Sequence, residues 1–179
     1  MERIKFTPVA VVEGAKPVVT EFSPVPGAPL DEKKVCRVYF SQASGQYRET
    51  LKSLDLLRFG DQITPKRMLV CIPSSHEESH IYRTLASLSG QPKEYLQETE
   101  VSILDNLRAG EEPDDTLEEI IRFHQANLGL SISYSRVVVP ESMPYGNIRK
   151  ILFDSTLLRA IEESPSIPMS STPFVAHFV

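Results

Sequence analysis

From Lys66 onward, apolar runs of strand length take turns with stretches of helical spacing, and this alternation restricts the fold more than any other feature. Met68 to Ile72 is an apolar run, Glu77 to Leu88 carries helical spacing, and Val101 to Leu104 is a second run, which together read as a βαβ unit. A helix over Thr116 to Gln125 follows, with Leu117, Ile120, Ile121 and His124 on one face. The β-branched run Ser135 to Val139, a helix over Asn147 to Glu162 and a last run from Phe174 to Val179 continue the pattern. Strands separated by helices cannot pair as hairpins. The expected class is therefore α/β, with a three-layer, mostly parallel sheet covered by helices on both faces.

The chain ahead of Lys66 reads differently. Five of the fourteen prolines fall in the first thirty residues, around the short runs Val9 to Val12 and Val18 to Thr20, which predicts an extended arm. Tyr47, Leu51, Leu54 and Leu57 then repeat at helical spacing, so Gly45 to Arg58 is expected to be a lead-in helix with Gly60 as its stop. The expected division is residues 1–62 as arm and lead-in helix, and 63–179 as an α/β domain.

Composition narrows the partners. Nineteen basic against twenty-four acidic residues give a net charge of −5, without the positive footprint that nucleic acid or an anionic membrane needs. No apolar run approaches the roughly 18 residues of a membrane span. Two cysteines and no N-x-S/T sequon point to a reducing, cytoplasmic setting. Cys71, inside an apolar run, is expected to be core.

In a parallel sheet, ligands collect where the strands end and helix N-termini face outward. Three stretches of this chain are expected to converge there: Ile72 to Glu78, Leu104 to Asn106, and Tyr145 to Lys150. Asp105 at a strand end can accept hydrogen bonds from a base or ribose, and Arg149 can neutralise a diphosphate. Glycine-rich phosphate loops and the nucleophile elbow G-x-S-x-G are absent, which disfavours dinucleotide oxidoreductases, P-loop enzymes and serine hydrolases. His76-Glu77-Glu78-Ser79-His80 matches H-E-x-x-H by letter, but its central residues are polar, it sits at a helix start, and no third ligand follows. Two capping boxes, Ser75-x-x-Glu78 and Thr116-x-x-Glu119, are expected to open helices. The acidic stretch Glu111 to Asp115 reads as a solvated loop.

The order of these pieces resembles the N-terminal nucleotide-binding half of the family 2 glycosyltransferases, which have the GT-A fold. The resemblance covers about Lys66 to Val179. It rests on Ile72-Pro73-Ser74-Ser75-His76-Glu77-Glu78, on Ser87-Leu88 with Gln91, on Ile103-Leu104-Asp105-Asn106, on Asp114-Asp115-Thr116, and on Gly146-Asn147-Ile148-Arg149-Lys150. It implies that Pro73, Ser74 and Ser75 line the nucleobase, that Asp105 or Asn106 holds base or ribose, that Glu77 shapes the pocket, and that Arg149 approaches ribose or diphosphate. It also implies a UDP- or GDP-linked sugar as ligand. A divalent metal, Mn or Mg, is expected only in a full-length protein, on an Asp-x-Asp that the family places just beyond the strand resembling Phe174 to Val179. The chain is thus expected to be a domain incomplete at its C-terminus, able to bind and not to transfer, with self-association through an uncovered sheet edge. Two alternatives stand beside it: a non-catalytic α/β interaction module, and a zinc hydrolase using His76 and His80.

Overall fold

A computed structural model describes residues 9–10, 32–60, 66, 68–163 and 175–178. Most of the expected N-terminal arm and the connection after residue 163 lie outside the described residues. The elements run β1 (Val9–Ala10), α1 (Glu32–Gln42), α2 (Gly45–Lys52), β2 (Leu57–Phe59), β3 (Met68–Ser74), α3 (Ile81–Ser89), α4 (Lys93–Gln97), β4 (Thr99–Arg108), α5 (Thr116–Ala126), β5 (Ser131–Val139), α6 (Tyr145–Glu163) and β6 (Val175–Phe178).

The α/β class is as the sequence predicts. Strands lie in the order β1-β5-β4-β3-β6, all parallel, and β2 joins β5 antiparallel. From β3 the chain steps outward to β4 and β5, then returns to place β6 on the other side of β3. Right-handed crossovers put the helices of the outward steps on one face and the helix of the return on the other. The packing agrees: α3 and α5 bury Ile81, Leu85, Leu117, Ile120 and Phe123 against Ile72, Ile103, Ile132 and Tyr134. On the opposite face α1, α2 and α6 bury Phe40, Tyr47, Leu51, Ile148, Leu152 and Leu157 against Cys71, Leu104 and Val137. Cys71 is 1% exposed, and burial pushes its thiol up to about 11, so it is the inert core residue expected.

The expected helix from Gly45 to Arg58 stops instead at Lys52. Tyr47, Leu51 and Leu54 belong to the core under α6, whereas Leu57 packs with the core under α3 and α5. The apparent helical period thus spans two elements, because the chain crosses the sheet edge between Leu54 and Leu57. Gly60 ends β2, not a helix. Its φ is +82°, and a Cβ there would lie 2.5 Å from the Leu130 carbonyl oxygen. Gly60→Ala should cost about 1–3 kcal/mol of stability. A urea titration that shows no shift in midpoint would contradict this account of the turn.

Helix α1 was not foreseen, and a buried polar cluster holds it. Asp154 of α6 is 1% exposed and accepts from Tyr39 Oη of α1 at 3.0 Å and from Tyr47 Oη of α2 at 2.8 Å. Lys150, one turn earlier on α6, donates to both Asp154 and Tyr39. Its ammonium also sits 5.0 and 5.1 Å from the two tyrosine ring centroids. One carboxylate therefore ties three helices together.

Candidate functional site

Three residues lie side by side on adjacent strands at the level where β3 ends. Ser74 of β3 is in register with Asp105 of β4, and Asp105 with Arg136 of β5. In-register residues of parallel strands share a face, and this row continues the face of Ile72, Ile103 and Tyr134 under α3 and α5. All three are buried, at 1%, 0% and 6% exposure. Asp105 Oδ2 accepts from Tyr134 Oη at 2.6 Å and from Arg136 Nε at 2.7 Å. Asp105 Oδ1, Ser74 Oγ and Arg136 Nη2 have no hydrogen-bond partner among the described residues.

An unpaired buried polar atom costs about 1–3 kcal/mol, so native structures keep few of them. Three in one cross-strand row, at the edge where parallel sheets bind ligands, form a pre-arranged set of donors and acceptors. Burial raises the Asp105 carboxyl above its ordinary value, opposed by the hydrogen bonds from Tyr134 and Arg136. Burial also lifts the Tyr134 phenol, with the Asp105 charge adding to the rise. For Arg136 burial works against the cation, but Tyr134 and Asp105 outweigh it and the guanidinium is held charged.

The loops leaving β3 and β4 are fastened to each other at this edge. His76 adopts φ +54°, a left-handed conformation uncommon outside glycine. Its Nε2 lies 3.4 Å from Glu111 Oε2 and its Nδ1 3.8 Å from Asp114 Oδ2. Glu111 also accepts the Arg108 backbone N–H at 2.5 Å, the main cause of its lowered pKa. Glu78 is raised, chiefly by its hydrogen bond with Asp114. Asp114 is lowered despite its burial, through Glu78 and the Thr116 amide, so of the two carboxyls Glu78 is the first to take a proton as the pH falls. Asp114 is half-buried and packed into this contact, more than a solvated loop residue.

Neither capping box forms as written. Helix α3 starts at Ile81, with His80 at its N-cap and no side-chain cap bond, because its buried stripe begins only at Ile81 and Leu85. Ser75 and Glu78 stay in the preceding turn. Thr116 is the first residue of α5, and its N–H is capped by Asp114 Oδ1 at 3.0 Å. His76 therefore lies in a bend outside the helix, so His76 and His80 lack the one-turn helical spacing that H-E-x-x-H zinc binding requires. Among the described residues no group of three or more His, Cys, Asp or Glu is arranged to hold a metal.

The other residues singled out from the sequence divide into two groups. Pro73 and Ser74 end β3, Asp105 follows in β4, and the Asn106 side-chain amide donates to the Ser74 carbonyl, so these four lie together. Ser75 is exposed and Glu77 half-buried in the bend beyond, where the Glu77 carbonyl accepts from the His80 and Ile81 amides at 2.9 and 2.8 Å. Arg149 is apart from them: it is exposed in the first turns of α6, on the opposite face of the sheet, over the Tyr145 ring at 4.8 Å. Arg136 and Tyr134 were missed. Part of the signal was present, since a cation inside the run Ser131 to Val139 needs a carboxylate partner, and the neighbouring strand carries two, Glu100 and Asp105.

No family model matches this chain, and no curated protein matches it significantly. Among solved structures, a mannosyltransferase from Pyrobaculum calidifontis in complex with GDP-Man and Mn2+ is similar at a TM-score of 0.30 and 17% identity. The match covers 64% of this chain and 30% of that one. A likeness of this size carries no functional argument, so the function is read from the residues themselves. No helix among the described residues is long and apolar enough to cross a membrane.

Proposed function

We propose that the Ser74–Asp105–Arg136 row binds the base of a uridine nucleotide, and that the chain is the nucleotide-sugar-binding part of a glycosyltransferase. The observation that carries the reading is the pattern of unpaired atoms. The pairing edge of uracil runs acceptor, donor, acceptor through O4, N3–H and O2. The row offers a hydroxyl that donates, a carboxylate oxygen that accepts and a guanidinium nitrogen that donates. Guanine presents two adjacent donors, N1–H and the 2-amino group, and wants two free acceptors. Asp105 has one, because its Oδ2 is committed to Tyr134 and Arg136.

The reversal of strand order beside β3 and the sequence resemblance both support a nucleotide at this edge. In the proposal Pro73, Ser75, Glu77 and Asn106 border the base, and Arg149 reaches the ribose or diphosphate from the α6 side. The described residues do not form a site for the divalent metal of such transferases, so the proposal for this chain is binding and includes no transfer step.

Calorimetric titration with UDP and GDP tests it. UDP should bind at least tenfold more tightly than GDP. Asp105→Asn keeps the shape but turns an amide N–H either toward the N3–H of the base or toward Arg136, and should weaken UDP about 10²-fold. Equal binding of the two nucleotides, no heat with either, or an Asp105→Asn variant that binds normally while retaining its circular dichroism spectrum would sink the reading.

A further inference from the structure

A second concave site lies on the far face of the molecule, away from the Asp105 row. Helices α1, α2 and α6 enclose a cleft of about 390 Å³, within the size range of small-molecule sites. Its floor is apolar: Phe40 and Leu158 are 5% and 8% exposed, and Ile161 is partly buried beside them. Its walls are cationic, with Arg37 from α1, and Arg48 and Lys52 from α2.

The charge balance decides what fits. Among the described residues Glu162 is the only carboxylate in the lining, and it already pairs with Lys52 at 3.3 Å. Arg37 and Arg48, from different helices, face the same cleft with no carboxylate partner among the described residues. Arg37 is exposed and Arg48 half-buried, and both line one cleft with an apolar floor, where an anion set between two guanidiniums gains from both charges. We propose that this cleft binds a small amphipathic anion, its phosphate or carboxylate head between Arg37 and Arg48 and its apolar body on Phe40, Leu158 and Ile161. Planar guanidiniums suit either head through paired N–H donors.

The test is calorimetry on the 179-residue chain with octyl phosphate, octanoate, octanol and inorganic phosphate. At least one of the two amphipathic anions should bind saturably, and which of them does identifies the head group. Octanol and inorganic phosphate, each lacking one half of the recognition, should bind at least tenfold more weakly. Arg37→Gln and Arg48→Gln are surface changes and should each weaken the bound anion about tenfold while leaving UDP titration unchanged, so that this site fails or stands independently of the nucleotide site. Absence of saturable binding by both anions, octanol or inorganic phosphate binding equally well, or a double Arg37→Gln/Arg48→Gln variant with unchanged affinity would overturn the proposal.

Discussion

Replacing Asp154 by alanine should destabilise the protein by about 3–5 kcal/mol, the usual cost of removing one partner from a buried ion pair. The change strands the Lys150 ammonium, which burial alone would disfavour and which Asp154 and Tyr39 now hold in its charged form. It also leaves the Tyr47 hydroxyl, whose side chain is largely buried, without its acceptor. For a chain of this length the loss corresponds to a melting temperature roughly 10 °C lower. A paired variant, Lys150→Met with Asp154→Leu, should recover much of the loss, because it removes both charges together instead of isolating one. Urea denaturation of the single and double variants decides the matter. A single variant within 1 kcal/mol of the parent would mean that the cluster does not fasten α1 and α2 to α6.

Arg136→Met should give a protein whose stability depends steeply on pH. Asp105 already has a folded-state carboxyl above its unfolded value, because of burial. A carboxyl raised in this way binds more protons folded than unfolded, so stability falls as pH rises from about 4 through the folded-state value. Arg136, with Tyr134, is what limits that rise, and Asp114 is the other charge felt at Asp105. Without the guanidinium the window widens upward. Relative to the parent at the same pH, the variant should be nearly normal at pH 4 and lose about 3–5 kcal/mol at pH 8. The limiting slope is about 1.4 kcal/mol per pH unit. Adding Asp105→Asn to Arg136→Met should flatten the dependence, and a pH-independent loss in the single variant would show that Asp105 is not the group responsible.

The parts of the fold that the sequence reveals are those whose pattern is local. β3, β4 and β5 are buried on both faces and so read as nearly continuous apolar runs, and α5 shows its stripe of Leu117 and Ile120 directly. The parts it conceals depend on partners far along the chain. β2 is three residues long and exists because Ser133 and its neighbours in β5 complete its ladder. α1 spaces Cys36, Tyr39 and Phe40 along one side, but the polar cluster on α6 that secures it lies more than a hundred residues away. The candidate site divides the same way. Asp105 is marked by ending an apolar run, whereas the row of Ser74, Asp105 and Arg136 is defined by register, which no single segment encodes.

Pro73 lies two residues beyond Cys71, the last β3 residue paired with the described residues of β6. The ladder from β3 to β4 runs unbroken through Ser74, while that to β6 stops at Cys71 paired with Phe178. The missing proline N–H therefore falls on the β6 side, where β3 offers no ladder donor at this step. Valine at this position would supply that donor, so one imino acid limits how far any strand can pair along this side of β3 toward Ser74.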